Sequence, residues 1–234
     1  MKDVKRARII IQALLDILPL SIAVIPWGIL TGAIAIQVGL TPWQGQLMSL
    51  LVFAGAAQLS GMTLMSNMAA PLTIFGTTAV ISSRHLLYSI TFREKVSSLS
   101  LPWRLTLAFL LTDEMFAVSQ THTQKTGKFS TIYALVTGAA FYAIWNIATF
   151  VGIIAGDYFD NIDSLGLDFA IVATFIAMTF DKIRERPIVL AMLVSGISSI
   201  MLKPFFVDAH IIIAGLLGML VGYFVSSNKI EKNS

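Results

Sequence analysis

The chain has 234 residues, 56% of them hydrophobic and only 12% charged, with a mean hydropathy of +0.80 and a formal net charge of +3. A soluble globular chain carries roughly a quarter charged residues, so this composition excludes an ordinary soluble domain and makes the lipid bilayer the first expected partner. The cations sit mainly beside apolar segments, which gives no argument for nucleic acid, and the absence of cysteine excludes disulfides and thiolate chemistry.

Apolar windows long enough to cross a hydrocarbon core of about 30 Å as helices recur at 10–38, 43–66, 70–92, 103–121, 129–156, 167–181, 187–203 and 208–227. They predict an all-α, polytopic membrane bundle of seven or eight transmembrane helices, forming one domain over residues 1–234. The opening "MKDVKRARIIIQALLDILPL" superficially resembles a signal peptide. Asp16 and Pro19 interrupt it and no small-residue cleavage site follows, so it is read as a retained first span. Lys2, Lys5, Arg6 and Arg8, the basic segments 124–128 and 181–187, and the tail after Ser226 place both termini on the cytoplasmic side. The acidic stretch with Asp157, Asp160, Asp163 and Asp168 suits the outside. The loop with Arg93, Lys95 and Arg104 conflicts with eight spans; either it breaks the rule or one early segment is re-entrant and the count is seven. A faint internal echo, in which 39–59 and 70–87 resemble 166–180 and 186–202, suggests the repeats common in secondary transporters.

Several apolar windows contain helix-weakening or polar residues. In the first, Pro19, Pro26, Gly28 and Gly32 occur together. Proline removes a backbone donor, and a freed carbonyl survives in a membrane only against protein or a water-lined cavity; Pro26 and Gly28 therefore mark either a kink with close packing or a broken, ligand-facing helix. In the second, Gln58 lies among Gly55, Ala56, Ala57 and Gly61, as interhelical glue or as a ligand contact. Asn146 beside Trp145 carries the same two readings. Arg84 and His85 fall about 21 Å into a helix starting near Ala70, so they are read as embedded cations that need partners. Asp113 and Glu114 are the candidates, because acids within a membrane are costly and tend to be paired. Such a pair suits the two ends of a zwitterion, a proton path, or a structural tie. His122 is placed in a polar loop without a role, and His210, beside Asp208, at the membrane interface.

"PLSIAVIPWGILTGAIA", "LVFAGAAQL", "SSRHLLYS" and "LTDEMFA" occur in the order seen in the AzlC family of bacterial branched-chain amino-acid exporters, to which YgaZ belongs, and the resemblance covers nearly the whole chain. Two departures stand out: Trp27 and Ser82 take the places of a phenylalanine and an asparagine that are frequent in the family. The resemblance implies the large permease subunit of a two-component exporter in the bacterial inner membrane. It would work beside a small AzlD-like membrane protein and move valine, leucine, isoleucine or methionine. Pro26, Gly28, Gly55, Gln58, Arg84, His85, Asp113, Glu114 and Asn146 are the candidate substrate or coupling residues. An intramembrane enzyme and a non-transporting scaffold are the alternatives. The enzyme lacks any nucleophile or His-Glu-x-x-His motif, and three widely spaced histidines argue against a metal site, so neither cofactor nor metal is expected.

Overall fold

The structure, a computed structural model, describes residues 2–156, 176, 180, 185–205 and 210–231. Among them every regular element is helical: α1 (Lys2–Gln37), α2 (Pro42–Val52), α3 (Gly55–Ser66), α4 (Pro71–Ser82), α5 (Arg84–Val96), α6 (Leu101–Phe109), α7 (Asp113–Thr126), α8 (Thr131–Ala155), α9 (Arg186–Leu202) and α10 (His210–Glu231). The chain divides into two compact units at residues 174 and 175, with α1–α8 in the first and α9–α10 in the second.

In the first unit, α1 and α8 are long and apolar enough to cross a membrane, and they form its most extensive helix pair. Ala13, Ile17, Ser21, Val24, Trp27 and Thr31 recur at helical spacing on the buried stripe of α1, and Tyr133, Thr137, Phe141, Trp145 and Thr149 on that of α8. Glycine lets the backbones meet: a Cβ at Gly152 would collide with the Ile29 carbonyl, and one at Gly28 would lie 2.6 Å from the Ala148 Cβ. The opposite side of α1 leaves Ile11, Leu14, Leu15, Leu18 and Ile22 exposed, as a lipid-facing surface requires.

The windows read as single spans at 43–66, 70–92 and 103–121 each contain two shorter helices. Phe53 ends α2 in the left-handed region (φ 38°, ψ 48°), and Ala54 precedes α3 in extended form (φ −146°, ψ 84°). A non-glycine residue there costs on the order of 1–3 kcal/mol, offset by packing: Phe53 is buried against the rings of Tyr142, Phe109 and Phe141, at 4.8, 6.1 and 6.3 Å. Between α4 and α5 the chain stays helical in dihedral at Ser83 (φ −58°, ψ −26°). It tightens there, with Ser83 N–H donating to the Val80 carbonyl and Leu86 N–H to the Ser83 carbonyl. Arg84 is thus the first residue of α5, at a helix junction, and not embedded within one continuous span as its distance from Ala70 suggested. Between α6 and α7, Leu110–Thr112 are irregular, and the Thr112 side chain caps α7 by accepting from Met115 N–H at 3.3 Å.

Of the two readings at Pro26–Gly28, close packing and a broken helix, the structure has the first: α1 is continuous through Pro19 and Pro26. Each proline removes one rung, and the fit of Gly28 against α8 keeps the register. His122, read as a loop residue, lies on α7 and is buried. Window 167–181 and the loop 157–168 lie outside the described residues, apart from 176 and 180, and with them the 166–180 segment of the suggested repeat. In the second unit α9 and α10 pack through small residues, and Ser195 Oγ donates to the Ala214 carbonyl at 3.1 Å.

Replacing Gly152 by valine pushes a side chain into the Ile29 backbone, a strain of at least about 1–3 kcal/mol. The expected outcome is loss of the monodisperse peak in detergent size-exclusion chromatography. Gly76→Ala, whose added methyl meets nothing within 4 Å, should elute as the unmodified protein does.

Candidate functional site

The two irregular segments of the first unit and the α4–α5 junction converge on one pocket. Val24 and Trp27 of α1, Phe53 and Ala54 from the α2–α3 break, and Phe141 and Trp145 of α8 form its walls, while Gly55, Arg84, His85, Thr112, Asp113 and Glu114 bring polar backbone or side chains. Its enclosed space is about 30 Å³, room for a water-sized group, within about 370 Å³ that includes the part open to solvent. Three helices, α3, α5 and α7, begin at its rim. Helix N-termini present unpaired N–H groups and a partial positive charge. Thr112 caps α7, whereas Ala54 has no side-chain cap to offer α3. The start of α3 at Gly55 thus lines the pocket without a side-chain cap.

The charged groups are asymmetrically satisfied. Arg84 Nη1 lies 2.8 Å from Asp113 Oδ2, with the Arg84 side chain 30% exposed and Asp113 6%. The second carboxylate oxygen, Asp113 Oδ1, is buried and makes no close hydrogen bond among the described residues, although the Tyr88 hydroxyl approaches the same carboxylate. Neighbouring helix positions diverge by about 100°, yet Asp113 and Glu114 are both buried, because at a helix start the surrounding chain closes over two faces at once. His85 Nδ1 lies 2.9 Å from the Ser82 carbonyl. A carbonyl only accepts, so Nδ1 carries the proton, and in the neutral ring Nε2 is left as an acceptor.

The aromatic walls are as specific as the charges. Trp27 and Trp145 meet edge to face, with centroids 5.8 Å apart at 85°, and both are buried. A Cβ at Gly55 would come within 2.6 Å of the Trp145 ring and 3.1 Å of Trp27, so glycine is what lets both indoles lie against the start of α3. Trp145 Nε1 is buried with no partner among the described residues. The pocket thus combines a buried Asp113 oxygen and a buried Trp145 N–H that make no close hydrogen bond among the described residues, the uncapped start of α3, and apolar surface between them.

Of the nine candidate residues, Gly55, Arg84, His85, Asp113 and Glu114 line this pocket, while Pro26, Gly28, Gln58 and Asn146 do not. Gly28 serves the α1–α8 contact. Gln58 Nε2 donates to Ser49 Oγ at 2.8 Å, and Ser49 donates on to Thr149 at 3.0 Å. Asn146 accepts from Gln46 Nε2 at 3.1 Å and donates to the Tyr142 carbonyl. These amides tie α2 and α3 to α8. Trp27, Phe53, Thr112, Phe141 and Trp145 were missed as site residues. The cap signature of Thr112 was available from "LTDE"; the aromatics carried no signal beyond their type.

Among the described residues the regular structure is helical, with two helices long and apolar enough to cross a membrane and a polar pocket at helix ends, as in a membrane protein. The AzlC protein family matches residues 19–159, more than half of the chain. The chain belongs to the AzlC family. It is 31% identical over 170 residues to an "Uncharacterized membrane protein" of Archaeoglobus fulgidus, covering 72% of this chain and 73% of that protein. Two proteins of the same description from different Helicobacter pylori strains are 27% identical over 140 residues (59% of this chain, 60% of that protein) and 26% identical over 159 residues (68% of each). The match with the first Helicobacter protein thus spans less than two thirds of that protein's length. No solved structure matches the chain.

Removing Arg84 leaves the Asp113 carboxylate without its cation. For a buried pair that costs about 3–5 kcal/mol, less here because Arg84 is partly exposed. Arg84→Met is expected to lower the melting temperature in detergent by roughly 5 °C. Arg84→Met with Asp113→Leu should recover at least half of that loss, as followed by tryptophan fluorescence.

Proposed function

We propose that this chain is the large subunit of a secondary transporter that exports branched-chain amino acids across the bacterial inner membrane, with both termini cytoplasmic and a small AzlD-like membrane protein as its partner. Seven or eight spans belong to this reading. The observation that carries it is the meeting, in one pocket, of the buried Asp113 carboxylate, one oxygen of which makes no close hydrogen bond, with the Trp145 N–H and the uncapped start of α3. An α-amino acid presents one ammonium and one carboxylate. Its ammonium suits Asp113 Oδ1, and its carboxylate suits the Trp145 N–H and the positive end of α3. Arg84 holds Asp113 in place and offsets its charge. Val24, Phe53 and Phe141 offer an aliphatic side chain an apolar wall.

Discrimination among leucine, isoleucine, valine and methionine rests on that wall, where a methylene is worth about 1–3 kcal/mol. Trp27, the position at which this chain departs from the common family phenylalanine, stands in it. The reading favours transport over catalysis: the polar groups are disposed for binding two opposite charges, and no described side chain forms a nucleophile–base pair.

Counterflow of labelled leucine in proteoliposomes containing this chain, with and without its small partner, tests the reading. Exchange is expected, and its absence in both preparations overturns the assignment. Arg84→Ala should abolish exchange at a matched protein level. Trp145→Phe keeps a ring but removes a donor to a charged group, a loss of about 1.5–3 kcal/mol. It should raise the half-saturating leucine concentration roughly tenfold or more.

A further inference from the structure

A second polar cluster lies at the other end of the same three helices. Tyr133 of α8 donates its hydroxyl to Asp16 Oδ2 of α1 at 2.6 Å. Its ring is stacked on His122 of α7, with centroids 3.9 Å apart and planes at 16°. Tyr133 and His122 are buried, at 1% and 8% exposure. Counted along the helices at 1.5 Å per residue, the cluster lies about 14–18 Å from the pocket: nine residues separate His122 from Asp113, eleven separate Asp16 from Trp27, and twelve separate Tyr133 from Trp145. The charged groups nearest in the chain are Arg6 and Arg8 on α1, and Lys125 and Lys128 around the α7–α8 turn. The cluster therefore lies within a few turns of a basic, water-facing boundary.

The two ends hold their acids differently. Asp113 is bound to a guanidinium, so a proton arriving there must displace an ion pair. Asp16 lies in the apolar stretch of α1 and is itself exposed, beside exposed Leu14, Leu15 and Leu18, and its described partner is a neutral hydroxyl. A phenol both donates and accepts. It can donate to the Asp16 carboxylate or, after a turn of its O–H, accept from the carboxylic acid, so Asp16 can gain or lose a proton without losing its partner. A carboxylate in such surroundings is costly as a permanent charge. Buried Ser21 and Ser119, whose hydroxyls have no partner among the described residues, lie on α1 and α7 between the two ends.

We propose that Asp16, held by Tyr133, is the proton-binding site through which this transporter is coupled to a proton gradient, with His122 as the positioning residue that clamps the tyrosine ring. This inference rests on the transport reading above. In each cycle one O–H bond forms at Asp16, with a proton taken from water at the basic boundary, and the same bond breaks when the proton is returned to water. Nothing is oxidised or reduced.

The test uses the full chain in proteoliposomes loaded with a pH-sensitive dye, recording leucine counterflow and leucine-driven proton movement side by side. Asp16→Asn is expected to retain leucine exchange while leucine-driven proton movement falls at least tenfold. Tyr133→Phe, which keeps the ring on His122, should slow proton movement several-fold. Wild-type protein that exchanges leucine without moving protons overturns the coupling site and leaves the transport reading standing. Wild-type protein that exchanges no leucine overturns the transport reading itself. Asp16→Asn or Tyr133→Phe with unchanged proton movement per leucine also overturns the coupling site. If Asp16→Asn loses exchange as well, Asp16→Glu must restore both activities; failure to do so assigns Asp16 a structural role and defeats the proposal.

Discussion

The contact between α1 and α8 depends on two backbones coming closer than side chains normally allow, and everything at the two polar centres is hung from it. Gly28 on one helix and Gly152 on the other remove the methyls that would hold the pair apart. At one end this closeness brings Trp27 onto Trp145; at the other it brings Asp16 within hydrogen-bond distance of Tyr133. In hydrocarbon, helices gain little from hiding apolar surface, and close packing with interhelical hydrogen bonds holds them instead. The amide bridges of Gln46 to Asn146 and of Gln58 through Ser49 to Thr149 extend the same logic to α2 and α3.

The helix ends at the pocket follow from a second constraint. A membrane tolerates irregular backbone only where protein or a wet cavity can satisfy it, so the breaks at Phe53–Ala54 and Leu110–Thr112 cluster where one interior space serves both. The same requirement explains why acids appear at the start of α7: they face the positive end of a helix, with a guanidinium opposite.

Some of this was legible in the residues. Asp113 and Arg84 stand out because ions in apolar sequence demand partners, and the structure brings them together. Glycine and proline were less faithful guides. Pro26 advertises a break that the α1–α8 packing suppresses, whereas the break at Phe53 carries no proline and is made by a ring cluster drawn from α6 and α8. No periodicity reveals contacts of that range. Trp27 and Trp145 were hidden by their commonness in membrane sequences, since only the fold distinguishes an interface anchor from a pocket wall. His122 was obscured differently, its polar neighbours resembling a loop although they continue α7 to Gly127, which ends it in the left-handed region at φ 71°.

Phe53 illustrates what such construction entails. Its left-handed turn is enforced by Tyr142, Phe109 and Phe141, not by any preference of its own, and the start of α3 follows directly from it. The direction in which α3 points is accordingly set by rings belonging to other helices. Any rearrangement that loosened those rings would let the backbone relax toward ordinary helix and swing the first turn of α3 off the pocket. The aromatic cluster thus works as a latch on a sprung joint, and the orientation of the donors depends on whether it is fastened.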